Sequence, residues 1–374
     1  MGSAGLLTLL WLVRLRGRVR NRSFLRRAAL PPPAHSPWMY VFRSQDDGAF
    51  RATMSMDVRC FELLHAAVLV HLETRARNAT LDSRGVLALT LHWLNSIMRQ
   101  KSLCQVFGVT PAACSRYLTQ GLGALEYAAD TMQECRIRWP TRARMDENAE
   151  KIIARVPGLS GFKVFGFVDG LNLRIENSSI ESEQNVYYNG WLCGVYCSQV
   201  LVFDPEGLII WVEYNCPGSW HDITVARKLI DFMRDMEEPY CLLGDAGFIC
   251  GSELDTKILV PLTKVSGAPR NLPRCPQLRR RVLALSASVV KGRQAAEWGM
   301  RALQGMFSRL KSTLTVDKDK RAQILKVSFA MYNFQTREGM VNQIRTTFAQ
   351  DWAHWELGES DWRCHVAQWY NESH

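Results

Sequence analysis

Two aspartates stand at positions where the sequence indicates a chemical role. Asp169 follows an apolar run in Phe167-Val168-Asp169-Gly170, and Asp245 follows a second run in Leu243-Gly244-Asp245-Ala246-Gly247. The adjacent glycines allow a ligand or a second backbone to approach closely, and open α/β sheets place their sites at the carboxyl ends of strands. Each aspartate taken alone is more typical of a turn in which the carboxylate accepts backbone N–H groups.

A third carboxylate, Glu297, lies on a helix predicted from Val289 to Leu310. It faces away from the apolar stripe of this helix, and Arg293 and Arg301 lie one turn before and one turn after it. By itself this pattern is typical of a solvated face with opposite charges paired at i,i+4 spacing. The apolar stripe consists of Leu303, Met306, Phe307 and Leu310.

Asp169, Asp245 and Glu297 taken together indicate a metal site. Hard carboxylate oxygens suit Mg²⁺ or Mn²⁺, because such ions keep several waters and also bind phosphate oxygens of a substrate. Two of these ions about 4 Å apart activate a water and stabilise the leaving oxygen in an in-line phosphoryl displacement. We therefore expect these three residues to be catalytic in a metal-dependent phosphoryl displacement.

The elements around these acids predict an α/β domain. Apolar and turn patterns favour a mixed sheet with helices on its faces, and residues 130–160 form a polar connector before it. The predicted strands are Phe162–Val168, Asn172–Ile175, Gly194–Phe203, Leu208–Tyr214, Cys241–Leu243 and Lys257–Leu262. The predicted helices besides the one carrying Glu297 are Ile223–Met236 and Ala322–Thr336.

The chain before the connector predicts a small all-helical domain. Phe61, Leu64, Val68 and Leu72 have the spacing of one buried helix face. The stretch Ser102–Leu118, with Gly108 as its turn, is similar to a helix-turn-helix in which Ser115 and Arg116 face outward toward DNA. Two ordinary packed helices explain the same pattern, so DNA binding by this segment is one interpretation of two.

Charge is concentrated at the N-terminus. The net charge is +10, and residues 1–45 contain eight arginines and no acidic residue. This segment has the composition of a mitochondrial targeting peptide, of a basic arm that contacts phosphates, or of a solvated tail. The apolar run at residues 6–13 is much shorter than the roughly 20 residues that cross a bilayer. The 11 cysteines include no Cys-x-x-Cys pair, so we expect reduced thiols and no structural zinc.

Several motifs, in order, resemble those of the PIF/Harbinger class of DDE transposases and their derived nucleases. They lie between about residues 160 and 340 and begin with Gly166-Phe167-Val168-Asp169-Gly170. The others are Tyr187-Tyr188-Asn189-Gly190-Trp191, Asn215-Cys216-Pro217-Gly218-Ser219-Trp220-His221-Asp222, Leu243-Gly244-Asp245-Ala246-Gly247-Phe248, Ala296-Glu297-Trp298-Gly299 and Phe307-Ser308-Arg309-Leu310. Departures from the family pattern occur at Asn189-Gly190-Trp191, at Trp298 and in the long segment Lys264–Ser288.

The resemblance implies an RNase H-like fold and a metal site formed by Asp169, Asp222, Asp245 and Glu297, which is expected to hold two Mg²⁺ (or Mn²⁺) ions. His221 is expected to cap the helix that starts at Ile223. Ser115, Arg116, Arg293 and Arg301 are the residues expected to contact DNA. We expect a Myb-like partner protein and a second copy of the chain as further partners, no membrane, and a nuclear location, with the mitochondrion as the alternative.

These expectations divide the chain into four segments. They are a basic arm with a Pro-rich linker (1–50), a helical domain with the helix-turn-helix-like segment (51–150), an RNase H-like catalytic domain (151–345) and a tail (346–374). The leading function is a transposase, or a host nuclease derived from one, that cuts DNA and joins strands. The alternatives are a non-catalytic DNA-binding protein on a transposase scaffold and an RNase H-like nuclease that acts on RNA.

Overall fold

The computed structural model describes residues 5, 8, 11–16, 25–72, 79–236, 239–249, 257–262, 264–265, 268–269, 272–339 and 342–349. Most of the arginine-rich segment 1–24 and the tail from residue 350 onward lie outside these residues. The chain divides into two compact units near residue 128, and each is described by itself.

The N-terminal unit is helical. Its helices are α1 (Pro37–Ser44), α2 (Asp47–Met54), α3 (Val58–Leu72), α4 (Ser83–Asn95), α5 (Gln100–Phe107) and α6 (Pro111–Thr131). Trp38 of α1 and Phe50 of α2 are buried beside Phe61 and Phe107, with the Trp38 and Phe107 rings 5.8 Å apart. Residues 37–50, which the sequence assigned to a linker, therefore contribute to the core of this unit.

The predicted helix faces of this unit are present in the structure. Phe61, Leu64, Val68 and Leu72 of α3 are all fully buried. Helix α5 ends at Gly108, whose φ of +64° is in the left-handed region that glycine adopts without strain. Helix α6 then begins at Pro111, as the sequence predicted.

The second unit begins with a helix that the sequence analysis missed. Helix α7 (Arg142–Arg155) lies in the stretch predicted to be a polar connector, and Thr141 caps its N-terminus. Met145, Ala149 and Ile152 are buried on one side of it. Their spacing of four and three residues forms an apolar face, but seven charged residues in α7 obscure it in the sequence.

A mixed sheet lies at the centre of the second unit. Strand β1 lies between β3, which is antiparallel to it, and β5, which is parallel to it. Strand β4 and the short β2 pair with β3, and β6 pairs with β5. The strands are β1 (Lys163–Arg174), β2 (Tyr188–Asn189), β3 (Gly194–Phe203), β4 (Ile209–Pro217), β5 (Tyr240–Leu243) and β6 (Ile258–Leu259).

Helices flank this sheet. Besides α7 they are α8 (Glu181–Tyr187), α9 (Asp222–Val225), α10 (Arg227–Arg234), α11 (Pro276–Met306), α12 (Lys318–Glu338) and α13 (Gln343–Phe348). A separate hairpin consists of β7 (Lys264–Val265) and β8 (Ala268–Pro269). The sequence predicted one helix where α9 and α10 stand, and it predicted that α11 begins at Val289 rather than at Pro276.

Helix α11 packs tightly on the sheet because its inner face is made of small residues. A Cβ atom at Gly292 would lie 2.4 Å from Cδ1 of Leu243, and one at Gly299 would lie 2.8 Å from the Phe203 ring. Ala295 and Ala296 are buried between these glycines. The residues of α11 that flank this face therefore lie close to the ends of β1 and β5.

Candidate active site

The pairing of β1 with β5 places Asp169 and Asp245 side by side. Phe167 pairs with Leu243 at the end of the parallel ladder, and each aspartate follows two residues later. Side chains two residues apart on a strand point to the same face, and neighbouring strands lie about 4.8 Å apart. Asp245 has extended backbone dihedrals (φ −84°, ψ 179°), so the chain keeps the strand direction up to it.

Asp169 does not end a strand, which corrects the sequence prediction. Strand β1 continues to Arg174, and Asp169 pairs with Leu201 of β3. The two strands predicted at Phe162–Val168 and Asn172–Ile175 are therefore one. The parallel neighbour β5 ends at Leu243, which pairs with Phe167, two residues before Asp169. On the β5 side Asp169 therefore lies at an open edge of the sheet.

Asp222 is the first residue of α9 and approaches the same place. A Cβ atom at Gly170 would lie 2.6 Å from the carboxylate carbon of Asp222, so the Asp222 carboxylate reaches this position because residue 170 is glycine. A Cβ atom at Gly247 would lie 3.4 Å from Oδ2 of Asp222 and 3.0 Å from Oδ1 of Asp245. Asp222 and Asp245 thus flank one point beside Gly247.

The three aspartates affect one another electrostatically. Burial, together with the charges of Asp245 and Asp222, raises the pKa of Asp169 to about 7, against the opposing effects of the Gly170 N–H and Arg293. Burial and the charge of Asp245 also raise the pKa of Asp222, while His221 acts in the opposite direction. The Gly170 N–H donates to Oδ1 of Asp169 over 2.9 Å, and the Gly247 N–H donates to Oδ1 of Asp245 over 2.9 Å.

Glu297 pairs with the two arginines of its own helix. Nη2 of Arg293 lies 3.1 Å from Oε1 of Glu297, and Nη2 of Arg301 lies 3.9 Å from Oε2. This confirms the i,i+4 pairing on α11. The Arg301 side chain is 77% exposed, whereas that of Arg293 is 27% exposed and its charge also acts on Asp169. Arg293 therefore interacts with both Glu297 and Asp169.

The donor chemistry of this cluster fits a hard divalent cation. The carboxylates of Asp169 and Asp222, whose pKa values are raised by burial and by neighbouring aspartates, are stabilised when a cation neutralises them. Within the described residues, however, no group of three or more His, Cys, Asp or Glu side chains is arranged to hold a metal ion. The four-acid ligand set of Asp169, Asp222, Asp245 and Glu297 thus stays a prediction.

The segment before Asp222 packs against the Tyr187–Trp191 motif. Nδ2 of Asn189 donates to the Gly218 carbonyl over 2.8 Å, and the Ser219 hydroxyl donates to the Val186 carbonyl over 2.8 Å. A Cβ atom at Gly218 would lie 2.1 Å from the Tyr196 carbonyl oxygen, so this approach requires glycine. Two motifs that are distant in sequence therefore form one structure that leads into Asp222.

A buried arginine, which the sequence analysis missed, supports this structure. Arg321 is fully buried, and its Nε donates to Oδ1 of Asn215 over 2.5 Å. Its guanidinium lies 4.8 Å from the centre of the Tyr187 ring. Asn215 has a φ of +60°, so its hydrogen bond helps to hold a left-handed backbone at the start of the motif.

His221 does not cap a helix through its side chain, contrary to the prediction. It occupies the position before α9, which starts at Asp222, and within the described part of the chain its side chain makes no capping hydrogen bond. Its carbonyl oxygen accepts from the Thr224 and Val225 N–H groups instead.

The residues predicted to contact DNA lie in both units. Ser115 and Arg116 are exposed on α6, and the Ser115 hydroxyl accepts a hydrogen bond from Gln100 over 2.6 Å. Arg293 and Arg301 lie on α11 beside Glu297. The outward orientation of the α6 pair agrees with the predicted helix face, and its role in DNA binding stays a prediction.

Comparison with known proteins identifies one related family. Residues 168–333 match the family model described as DDE superfamily endonuclease. The matched stretch contains Asp169, Asp222, Asp245 and Glu297, and its similarity to these enzymes supports a transposase-like nuclease function. Searches of curated proteins and of solved structures gave no match. No helix in the described part of the chain has the length and apolar character needed to span a membrane.

Proposed function

We propose that the protein is a DNA endonuclease of the PIF/Harbinger type, either a transposase or a host nuclease derived from one. One observation carries the proposal: the β1–β5 register sets Asp169 and Asp245 side by side, with Asp222 at the same point, inside the stretch that matches DDE superfamily endonucleases. Three antiparallel strands followed by two parallel ones support an RNase H-like fold.

The proposed roles of the individual residues are as follows. Asp169, Asp222, Asp245 and Glu297 are the proposed ligands of Mg²⁺ or Mn²⁺. When bound, one or two such ions supply Lewis acidity and an activated water for phosphodiester hydrolysis. The tight packing of Gly170 and Gly247 fixes the aspartates relative to one another, and the exposed Arg301 is available to a DNA phosphate. In strand transfer, a hydroxyl group at a DNA end would replace water as the nucleophile at the same site.

The helical unit is the proposed DNA-binding part. Its exposed Ser115 and Arg116 lie on the second helix of a pair joined by the left-handed Gly108, an arrangement that supports the helix-turn-helix interpretation. A Myb-like partner, a second copy of the chain and a nuclear location complete the proposal and rest on the family resemblance alone.

Cleavage by the purified protein tests the proposal. With Mg²⁺ or Mn²⁺ it should nick or cut DNA, and Glu297→Gln should abolish cutting while DNA binding stays nearly intact. Gln preserves the shape and helix propensity of Glu but removes its charge. Glu150→Gln, at an exposed position of α7, is the matched control and should cut normally. Ca²⁺ should support binding without turnover, because its looser coordination positions water poorly.

One observation favours the second candidate, a DNA-binding protein on an inactive scaffold. Both carboxylate oxygens of Glu297 face arginines, at 3.1 and 3.9 Å. If no duplex is cut under any metal condition, including duplexes that carry any inverted repeats flanking the gene and with a partner protein supplied, this candidate replaces the nuclease. A substrate panel containing an RNA–DNA hybrid separates the third candidate, a nuclease that acts on RNA.

A further inference from the structure

Arg293 lies beside Glu297 and acts on Asp169, two of the acids of the candidate site. Its helix approaches the sheet through the preceding residue, Gly292, whose missing side chain leaves room for Leu243 at the end of β5. The Arg293 side chain therefore starts near the end of β5, which is followed by Asp245. From there its guanidinium pairs with Glu297 over 3.1 Å, and its charge acts on Asp169.

Arg293 and Arg301 form a natural comparison. Both lie four residues from Glu297, on opposite sides of it along the helix. Arg301 is farther from the carboxylate, at 3.9 Å, and its side chain is 77% exposed, so water screens its charge. Arg293 is 27% exposed, and a less hydrated guanidinium interacts more strongly with the Glu297 carboxylate that it contacts.

We infer that Arg293 is the resident counter-ion of the carboxylate cluster and competes with the divalent metal for it. This inference rests on the proposed function. The contact with Arg293 occupies one acceptor position on Glu297 and neutralises part of its charge, so Glu297 is a weaker ligand for a metal ion while the pair is formed. Metal loading is therefore favoured when Arg293 withdraws from Glu297, and the withdrawn guanidinium can then pair with a phosphate oxygen of the DNA.

A competitor that stabilises the metal-free state lowers the apparent metal affinity, because binding must first displace it. Removing Arg293 should therefore tighten metal binding even when no DNA is present. Removing Arg301 should change it little. A residue that served only to bind DNA would leave metal affinity unchanged, so the two roles are separable.

Calorimetric titration of the metal-free protein with MnCl₂ tests the inference without any cleavage assay. We expect Arg293→Gln to lower the Mn²⁺ dissociation constant by about tenfold, as removal of one competing charge at short range allows. Arg301→Gln should stay within about twofold of wild type. Arg293→Lys keeps the charge but not the planar fork, so its constant should fall by about threefold.

Each outcome decides the inference. Equal Mn²⁺ affinities for wild type and Arg293→Gln, or equal gains in both glutamine variants, would overturn it. If Arg293→Gln does not fold, Arg293→Lys carries the test, and a wild-type constant would overturn it. Binding that survives Asp169→Asn, or absence of binding in every variant, places no metal at the cluster and overturns both proposals. The expected shifts in a protein that cuts no DNA would sink the nuclease proposal alone.

Discussion

Asp57 in the helical unit and the half-buried Asp169 in the sheet unit are two acids in opposite surroundings. In the helical unit Asp57 accepts from the Cys60 N–H over 2.8 Å and pairs with Arg51 over 3.3 Å. Burial tends to raise the pKa of Asp57, but the bonds from Cys60 and Arg51 together hold it below the ordinary value. In the sheet unit burial and two neighbouring aspartates raise the pKa of Asp169 to about 7.

The contrast separates acids that stabilise a fold from acids that cost it stability. Asp57 is surrounded by donors and a cation, so its charge strengthens the native state. Asp169 is placed beside like charges, which a fold alone gives no reason to retain. Functional sites commonly keep such unfavourable arrangements, and substitutions in the two places should therefore act in opposite directions.

The largest expected effect is on DNA cleavage. Asp169→Asn should lower the metal-dependent cleavage rate about 100-fold or more, since loss of even an outer-shell partner of a metal costs about 10- to 100-fold. Asp57→Asn should leave the rate per folded molecule unchanged. Single-turnover cleavage rates with Mg²⁺ measure the effect of each substitution. A normal rate for Asp169→Asn would show that Asp169 is not a functional acid.

The next effect is on stability. Asp57→Asn should lower the free energy of unfolding by about 1–3 kcal/mol, because hydrogen bonds to a charged acceptor are lost in a buried place. Asp169→Asn should raise that of the metal-free protein by about 1 kcal/mol, because a buried charge and its repulsion are removed. Urea denaturation in EDTA measures both, with the exposed Asp235→Asn as control. Destabilisation by both substitutions would contradict the contrast.

The pH dependence should differ in sign as well. Folded Asp169 keeps its proton up to about pH 7, while the unfolded residue loses it near 3.8. The folded state therefore binds more protons between these values, and the metal-free protein loses stability as pH rises through that window. Asp57 contributes stability that is present above its unfolded pKa and is lost as pH falls below it. Urea midpoints from pH 3 to 8 for wild type and both asparagine variants check the two slopes.

The smallest effect concerns the exposed face of the helical unit. Arg116→Ala should weaken DNA binding and reduce the slope of log affinity against log salt by about one unit, as loss of one phosphate contact requires. The helical unit should remain folded, because Arg116 is exposed. Arg234→Ala, in the other unit, is the control. An unchanged slope would leave α5 and α6 as ordinary packed helices.

The sequence predicted the acids better than the strands that hold them. Asp245 and Asp169 were recognisable because each follows an apolar run and precedes a glycine. Gly170 was interpreted as a turn, yet β1 continues because Leu171 and Leu173 keep the alternation of a half-buried strand. Which residues pair across strands depends on tertiary contacts, so the juxtaposition of Asp169 and Asp245 required the structure.

Two other features were hidden for different reasons. Helix α7 is hidden in the sequence because charged and polar residues dominate its composition and separate its buried apolar positions Met145, Ala149 and Ile152. Arg321 stands in the basic start of α12 and resembles any solvated arginine there; only the fold shows it buried under Tyr187. Neither burial nor a contact between distant segments can be read from local pattern alone.

The pairing of Phe167 with Leu243 makes residue spacing as important to this protein as residue identity. Inserting one residue between Leu243 and Asp245 would turn the carboxylate to the opposite side of the sheet, because side chains alternate along a strand. Such a chain would keep every acid and nearly every motif, and it would still have lost its site. Among decayed copies of a related gene, a single in-frame codon gained here would therefore mark an inactive enzyme that a search for intact acids would count as active.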